Sequence, residues 1–372
     1  MGPEDEHGEG ERKSEAGFFC PAYVGLRCFL LVVVLEGHYW FEAVKDPRLT
    51  PLTFAVPCFF ALSGYLISHT LFRYEDRPKR EALRVFYIRR AFRILPPFFL
   101  VLLVACLVGG TPYVGWQATY LMNLKIYHLS QYEPFAFLQY QDFGSFNAMH
   151  FWSVSVEEQF YVLYPLFVFG LGRRFRTSLL VAGLIISILS RLWYIQHQPH
   201  AFYGGLTWVA GEFILWACLL AWLEYSGHLN WLGNRTALYG SMLCFGLLAY
   251  FDRSYGLWAQ WKPQAHQTVY AIILAVLVLS LRHCPQTLVG RALSWKPLAV
   301  VGSMSYGAYL VHIFLNPVAD RLGQAVPQLV LFSQCPRATT GPIVTLLVAA
   351  IMWYGYEQPI NRLRQRWSSG SD

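Results

Sequence analysis

Apolar residues run along this chain in long blocks separated by short polar or Gly- and Pro-containing stretches. About ten of these blocks approach or exceed the roughly 20 residues that a helix needs to cross a hydrocarbon core of about 30 Å. They fall at about 17–40, 51–72, 92–110, 150–171, 177–195, 203–224, 236–251, 267–282, 300–320 and 341–358. The pattern predicts an all-α protein: a polytopic integral membrane bundle of about ten transmembrane helices. Short loops join most of the runs, so one compact bundle is expected, without internal repeats or low-complexity linkers. Residues 1–16 read as a disordered cytoplasmic leader, 17–360 as the membrane domain, and 361–372 as a basic, polar cytoplasmic tail.

Composition strengthens this reading and charge orients it. The chain is 55% hydrophobic and only 14% charged, against about 25% charged in soluble domains. Placing the N-terminus inside puts 20 of the 29 Lys and Arg residues in inside loops and tails and 7 outside, as the positive-inside rule requires. The other two, Arg27 and Arg191, interrupt apolar runs. Both termini are therefore expected in the cytoplasm, with the bundle in a plasma membrane of bacterial inner-membrane type. The net charge of +7 is spread along one membrane face, which makes it an orientation signal and argues against a nucleic-acid partner. The acidic leader lacks the basic start and small-residue cleavage site of a secretory signal, so the first apolar helix is expected to remain as an anchor. Eight cysteines, at 20, 28, 58, 106, 218, 244, 284 and 335, occur singly. Their spacing implies neither a disulfide framework nor a metal site.

The chemistry is expected where polar groups interrupt these runs, because such groups cost several kcal/mol in hydrocarbon. Arg27 and His38 are 11 residues apart; at about 100° and 1.5 Å each they share one helix face, about 16 Å apart along the axis. Arg90 and Arg93 are neighbours on a helix surface at the basic boundary. They suit either a polyphosphate or anionic lipid head groups. Ser63-Gly64 permits close backbone approach, to another helix or to a ligand. Ser153, Glu157, Tyr161 and Tyr164 form one polar stripe beside Glu158, which suits a hydrated cavity or a hydrogen-bond network between helices. A second histidine, His312, sits on another apolar run, where helix packing and substrate contact are equally good readings.

Together these residues resemble the acyltransferase-3 family of membrane O-acyltransferases. The matches, in family order, are Gly25-Leu-Arg27 with Arg-x10-His38; Phe59-Phe-Ala-Leu-Ser63-Gly64-Tyr-Leu-Ile; Phe86-Tyr-Ile-Arg89-Arg90-x-x-Arg93-Ile-x-Pro96; His150-x-Trp152-Ser-x-Ser-x-Glu157-Glu158-Gln-Phe-Tyr161; Gly302-x-x-Ser305-Tyr-x-x-Tyr309-Leu-x-His312; and Tyr356-Glu357-Gln-Pro359. They cover nearly the whole membrane part. Pro57 stands where many relatives carry an acidic residue, so a His-Asp pairing from that position does not transfer. The extracytoplasmic hydrolase-like domain of two-domain members has no counterpart here, and a stand-alone acyltransferase is expected.

The resemblance implies an acyl-CoA donor, most simply acetyl-CoA, and a carbohydrate or glycolipid acceptor beside membrane lipid, with no metal. On that reading Arg27, Ser63, Gly64, Arg90 and Arg93 hold the donor, His38 is the general base, and Glu157 or Glu158 orients it. Trp152, Tyr161 and His312 contact substrate, and Arg27 or Tyr161 stabilises the oxyanion. An acyl-His intermediate stays open. The alternatives are a transporter or flippase of a lipid-linked sugar, and acylation of a small molecule such as a macrolide.

Overall fold

The computed structural model describes residues 20–39, 54–137, 148–255, 264–327 and 336–368; the expected leader 1–16 lies outside them. Among the described residues helix follows helix and there is no strand. Seven helical stretches are long and apolar enough to cross a membrane: Pro21–Tyr39, Ala55–Arg73, Lys79–Val108, Arg173–His197, Thr207–Tyr225, His266–His283 and Pro336–Leu363. The chain is an all-α integral membrane protein. Long apolar side chains such as Leu107, Val108, Ile186 and Leu189 remain exposed on the outside of the bundle, as a lipid-facing surface requires.

The first helices set the frame: α1 (Pro21–Tyr39), α2 (Ala55–Arg73) and α3 (Lys79–Val108). At 30 residues, α3 is about 45 Å long. It outruns a hydrocarbon core of about 30 Å by about 15 Å, and Arg90 and Arg93 stand in its fourth turn, about 16–21 Å from its start. Two short helices follow, α4 (Val114–Ala118) and α5 (Met122–Tyr132). Then come α6 (Phe151–Gly170), α7 (Arg176–His197), α8 (Thr207–Tyr225), α9 (Arg235–Tyr255) and α10 (Gln264–His283). Helix α6 has 20 residues, enough to span, but carries Glu157 and Glu158 and falls outside the seven most apolar stretches.

The expected run 300–320 is not one helix. It is divided among α11 (Leu288–Leu293), α12 (Lys296–Ser303), α13 (Ser305–Val311), a 3₁₀ turn at Ile313–Leu315 and α14 (Asn316–Ala325). The last run becomes α15 (Pro336–Met352), a π-helical turn at Trp353–Glu357 and α16 (Gln358–Ser368).

Small residues allow the backbones to meet. A Cβ at Gly25 would lie 1.8 Å from the carbonyl oxygen of Leu293, and one at Gly302 would lie 1.9 Å from that of Val24. Helix α1 therefore crosses the α11–α12 seam in direct backbone contact. Two sets of buried charge away from this seam are paired. Arg191 on α7 meets Glu212 on α8 at 3.2 Å with both nearly fully buried. Glu224 on α8 is held by Tyr65 and His69 of α2 and by Arg282 and His283 of α10.

Candidate active site

A cavity of about 260 Å³ lies between α1, α2, α3, α6 and α13. Arg90, Arg93 and Thr70 line one end, Arg27, Ser63, Glu157, Glu158 and Tyr161 the middle, and Ser153 and Tyr309 the other end. Helix directions fix this order. The C-terminal end of α2 and the N-terminal half of α3 meet at the arginines, while the start of α6 and the end of α13 meet opposite.

The middle is a network spanning three helices. Ser63 Oγ donates to Glu157 Oε1 at 2.9 Å and pairs with the Tyr161 hydroxyl at 2.7 Å; that hydroxyl also reaches Glu157 Oε2 at 3.4 Å. The guanidinium of Arg90 lies over the Tyr161 ring, 4.4 Å from its centroid, a cation–π contact that directs it toward the cavity. Arg27 Nε donates to Ser305 Oγ at 3.2 Å, a bond that the Gly25 seam makes possible. The carboxyl groups of Glu157 and Glu357 face Arg27, and that of Glu357 also faces Arg93. Burial, and then the Glu158 charge, push the Tyr120 phenol upward, so this neighbour stays protonated.

At the far end the Tyr309 hydroxyl pairs with Ser153 Oγ at 2.6 Å and donates to the His150 carbonyl at 3.0 Å. Beyond it stand three imidazoles. The His312 ring lies 4.8 Å from that of His38 and 4.9 Å from that of His150, and the Tyr309 ring is 5.4 Å from His312. His38 does not line the cavity; the Tyr309–Ser153 pair separates them. Among the described residues no group of three His, Cys, Asp or Glu has metal-holding geometry.

The expected site residues thus divide. Arg27, Ser63, Arg90, Arg93, Glu157, Glu158 and Tyr161 share the cavity, and His38 and His312 share the imidazole cluster. Gly64 belongs to neither, because a Cβ there would lie 2.4 Å from the Ile214 carbonyl oxygen; it serves the packing of α2 on α8. Trp152 packs between Phe60 and Phe202, with ring centroids at 6.0 and 5.6 Å. Glu157 lies seven residues from His150, about 10 Å along α6, so its carboxylate sits with the arginines and not in the imidazole cluster. His150, Tyr309 and Glu357 were not expected site residues, although each lies within a motif matched to the family. Glu357 packs its buried carboxyl 2.7 Å from the Cβ position of Gly307, placed there by the π turn.

Comparison with known proteins agrees with these motifs. The family's acyltransferase domain matches residues 23–356. The chain is 27% identical over 320 residues to peptidoglycan O-acetyltransferase OatA of Listeria monocytogenes, covering 79% of this chain and 49% of that protein. It is 26% identical over 372 residues to O-acetyltransferase OatA of Staphylococcus aureus, covering 92% and 57% respectively. It therefore spans about half the length of the curated relatives it matches. No solved structure matches it. On the motifs, the fold and the 23–356 match, the chain belongs to the acyltransferase-3 family.

Proposed function

We propose that the protein transfers an acyl group, most simply acetyl, from cytoplasmic acyl-CoA to a sugar hydroxyl reached from the opposite side of the membrane. One observation carries this: a buried cavity runs from Arg90 and Arg93 past Arg27 and Glu157 to the Tyr309–Ser153 pair, and three imidazoles cluster just beyond that pair. Arg90 and Arg93 are suited to the CoA phosphates, since guanidinium forks bind phosphate bidentately. The narrow, largely apolar cavity with Ser63 and Arg27 in its wall suits the pantetheine arm. The thioester then comes to rest at Tyr309 and Ser153, next to the imidazoles.

In the reaction His38 acts as general base. The acceptor O–H proton passes to His38, the oxygen's electron pair forms the ester C–O bond, and the C–S bond breaks with its pair on sulfur. The proton returns to that sulfur, leaving CoA thiol. Donors near the thioester stabilise the oxyanion; Arg27, Tyr161 and Tyr309 are the groups in reach of the cavity. Glu157 keeps Ser63 and Tyr161 in place and balances the arginines. Trp152 and His312 flank the acceptor end. The relatives' names place acetyl groups on peptidoglycan, which supports a glycan acceptor here.

The test uses proteoliposomes with labelled acetyl-CoA on the Arg90 side and glycan on the other. Ester label on the glycan is expected, and it should disappear in His38→Ala while the protein still inserts and melts cooperatively. Near-normal transfer by His38→Ala rejects the base assignment. Movement of unmodified sugar without labelling would assign a transporter instead, and label on a small molecule on the Arg90 side would assign a different acceptor class.

A further inference from the structure

Hydrogen bonds to backbone carbonyls determine which nitrogen of each clustered imidazole is basic. A carbonyl oxygen only accepts, so the ring nitrogen bonded to it carries the proton. His38 Nδ1 meets the Val34 oxygen at 3.0 Å, His312 Nδ1 the Tyr309 oxygen at 2.6 Å, and His150 Nε2 the Leu310 oxygen at 3.2 Å. In their neutral forms the rings therefore carry their lone pairs on Nε2 of His38, Nε2 of His312 and Nδ1 of His150. The last two nitrogens are buried and meet no hydrogen-bond partner in the protein. An open buried acceptor costs on the order of 1–3 kcal/mol, and two in adjacent rings call for a role.

The surroundings narrow that role. His312 is the middle ring, at 4.8 and 4.9 Å from its neighbours. Among the described residues the titratable groups facing it are His38 and Tyr39 from α1, His150 just before α6, and Tyr309 on α13. From α15 comes the neutral Thr345, bonded to the Tyr39 hydroxyl at 2.7 Å. Among the described residues no carboxylate is hydrogen-bonded to His150 or His312. A proton arriving at His38 therefore has the His312 ring, its Nε2 unpartnered, beside it, 4.8 Å between centroids.

We propose that His312, with His150 behind it, is a positioning residue that shares the reaction's proton with His38. The inference rests on His38 being the base. The proton leaves the acceptor oxygen for His38 Nε2 as the C–O bond forms, and the His38 ring then turns to share it with His312 Nε2, which has no partner in the resting structure. His312 keeps its Nδ1–H bond to Tyr309 throughout. The proton returns through His38 to the sulfur when the C–S bond breaks, so both rings end neutral.

Two variants keep the carbonyl bond and remove the lone pair: His312→Asn, whose amide nitrogen falls near Nδ1, and His150→Gln, whose amide nitrogen falls near Nε2. In His312→Asn, kcat for acetyl transfer should fall on the order of 10- to 100-fold, while KM for acetyl-CoA stays within about twofold. Its acid limb should move to lower pH by at least about half a unit, since an imidazolium without its acceptor gives up its proton more readily. His150→Gln should move the limb the same way by less. A limb that stays put in His312→Asn, whatever the rate, overturns the proposal. Should the variants fail to fold, the wild-type proton inventory decides: a curved dependence of kcat on deuterium fraction supports two protons in motion, and a straight line refutes it. Activity in His38→Ala would instead remove the base assignment itself, while an inactive His38→Ala with an unmoved limb in His312→Asn removes only the sharing.

Discussion

Replacing Gly25 by alanine adds one methyl group, yet it should disturb the site through the backbone. The new Cβ would start 1.8 Å from the Leu293 carbonyl oxygen, whereas such contacts stay beyond 3.0 Å in real structures. The α1–α11 seam must therefore open by about 1.2 Å, and an overpacking of this kind costs about 1–3 kcal/mol. No flexible side chain can give way, because the obstructing atom is backbone, and Gly302 locks the same seam with its Cβ position 1.9 Å from the Val24 oxygen. The Arg27 Nε to Ser305 Oγ bond is already 3.2 Å, and the opening carries it out of hydrogen-bond range. A misplacement of about 1 Å costs on the order of 10²-fold in rate. Turnover in proteoliposomes and thermal melting in detergent measure the two effects together. Gly211 supplies the control: it is buried within α8 with nothing within 4 Å of its Cβ position, so alanine there should stabilise by about 0.5–1 kcal/mol. If Gly25→Ala and Gly211→Ala melt and turn over alike, the seam does not position Arg27.

Three further outcomes follow from the geometry. Arg191→Met or Glu212→Leu alone should lower stability by about 3–5 kcal/mol by leaving a buried charge unpaired, with the double variant closer to wild type; a double-mutant melting cycle measures this. Arg90→Gln and Arg93→Gln should each raise KM for acetyl-CoA about tenfold, as loss of one charge-assisted bond predicts, with a smaller change in kcat; unchanged donor affinity in steady-state kinetics would return these residues to lipid anchoring. Tyr309→Phe removes the bonds to Ser153 and to the His150 carbonyl, and should lower stability by about 1 kcal/mol while reducing acetyl transfer much more.

Periodicity carried much of the fold and part of the site. Arg27 and His38 share one helix face by simple helix counting, and in the structure one enters the cavity while the other enters the imidazole cluster. Ser153, Glu157 and Tyr161 also look into the cavity together, as a four-residue spacing on one helix requires. What a single chain hides is the identity of the partner across the gap. Gly64 sits beside Ser63 in the same motif, but Ile214 of α8, 150 residues later, makes it a packing glycine. Glu157 is close to His150 in sequence, yet the helix rise separates it from the imidazoles and brings it to Ser63. Glu357 is signalled only by its short motif with Pro359, because its placement depends on a π turn that hydropathy does not register.

The division of the run 300–320 explains the imidazole geometry. An unbroken helix would spend the carbonyls of Tyr309, Leu310 and His312 on amides four residues on. Helix α13 stops at Val311, and the carbonyls of a final turn are left to seek other donors. Here side chains supply donors: His312 Nδ1 meets the Tyr309 oxygen, His150 Nε2 the Leu310 oxygen, and the Tyr39 hydroxyl the His312 oxygen at 2.5 Å, which also accepts the Leu315 amide at 3.4 Å. Irregular backbone at membrane depth survives where protein groups satisfy it, so the break and the histidines stabilise one another. Because backbone oxygens set the tautomers of His150 and His312, those rings need no carboxylate to orient them. Glu157 and Glu357 remain available to balance Arg27, Arg90 and Arg93. Among the described residues these charged groups stand on the arginine side of the Tyr309–Ser153 pair, away from the His150 and His312 rings.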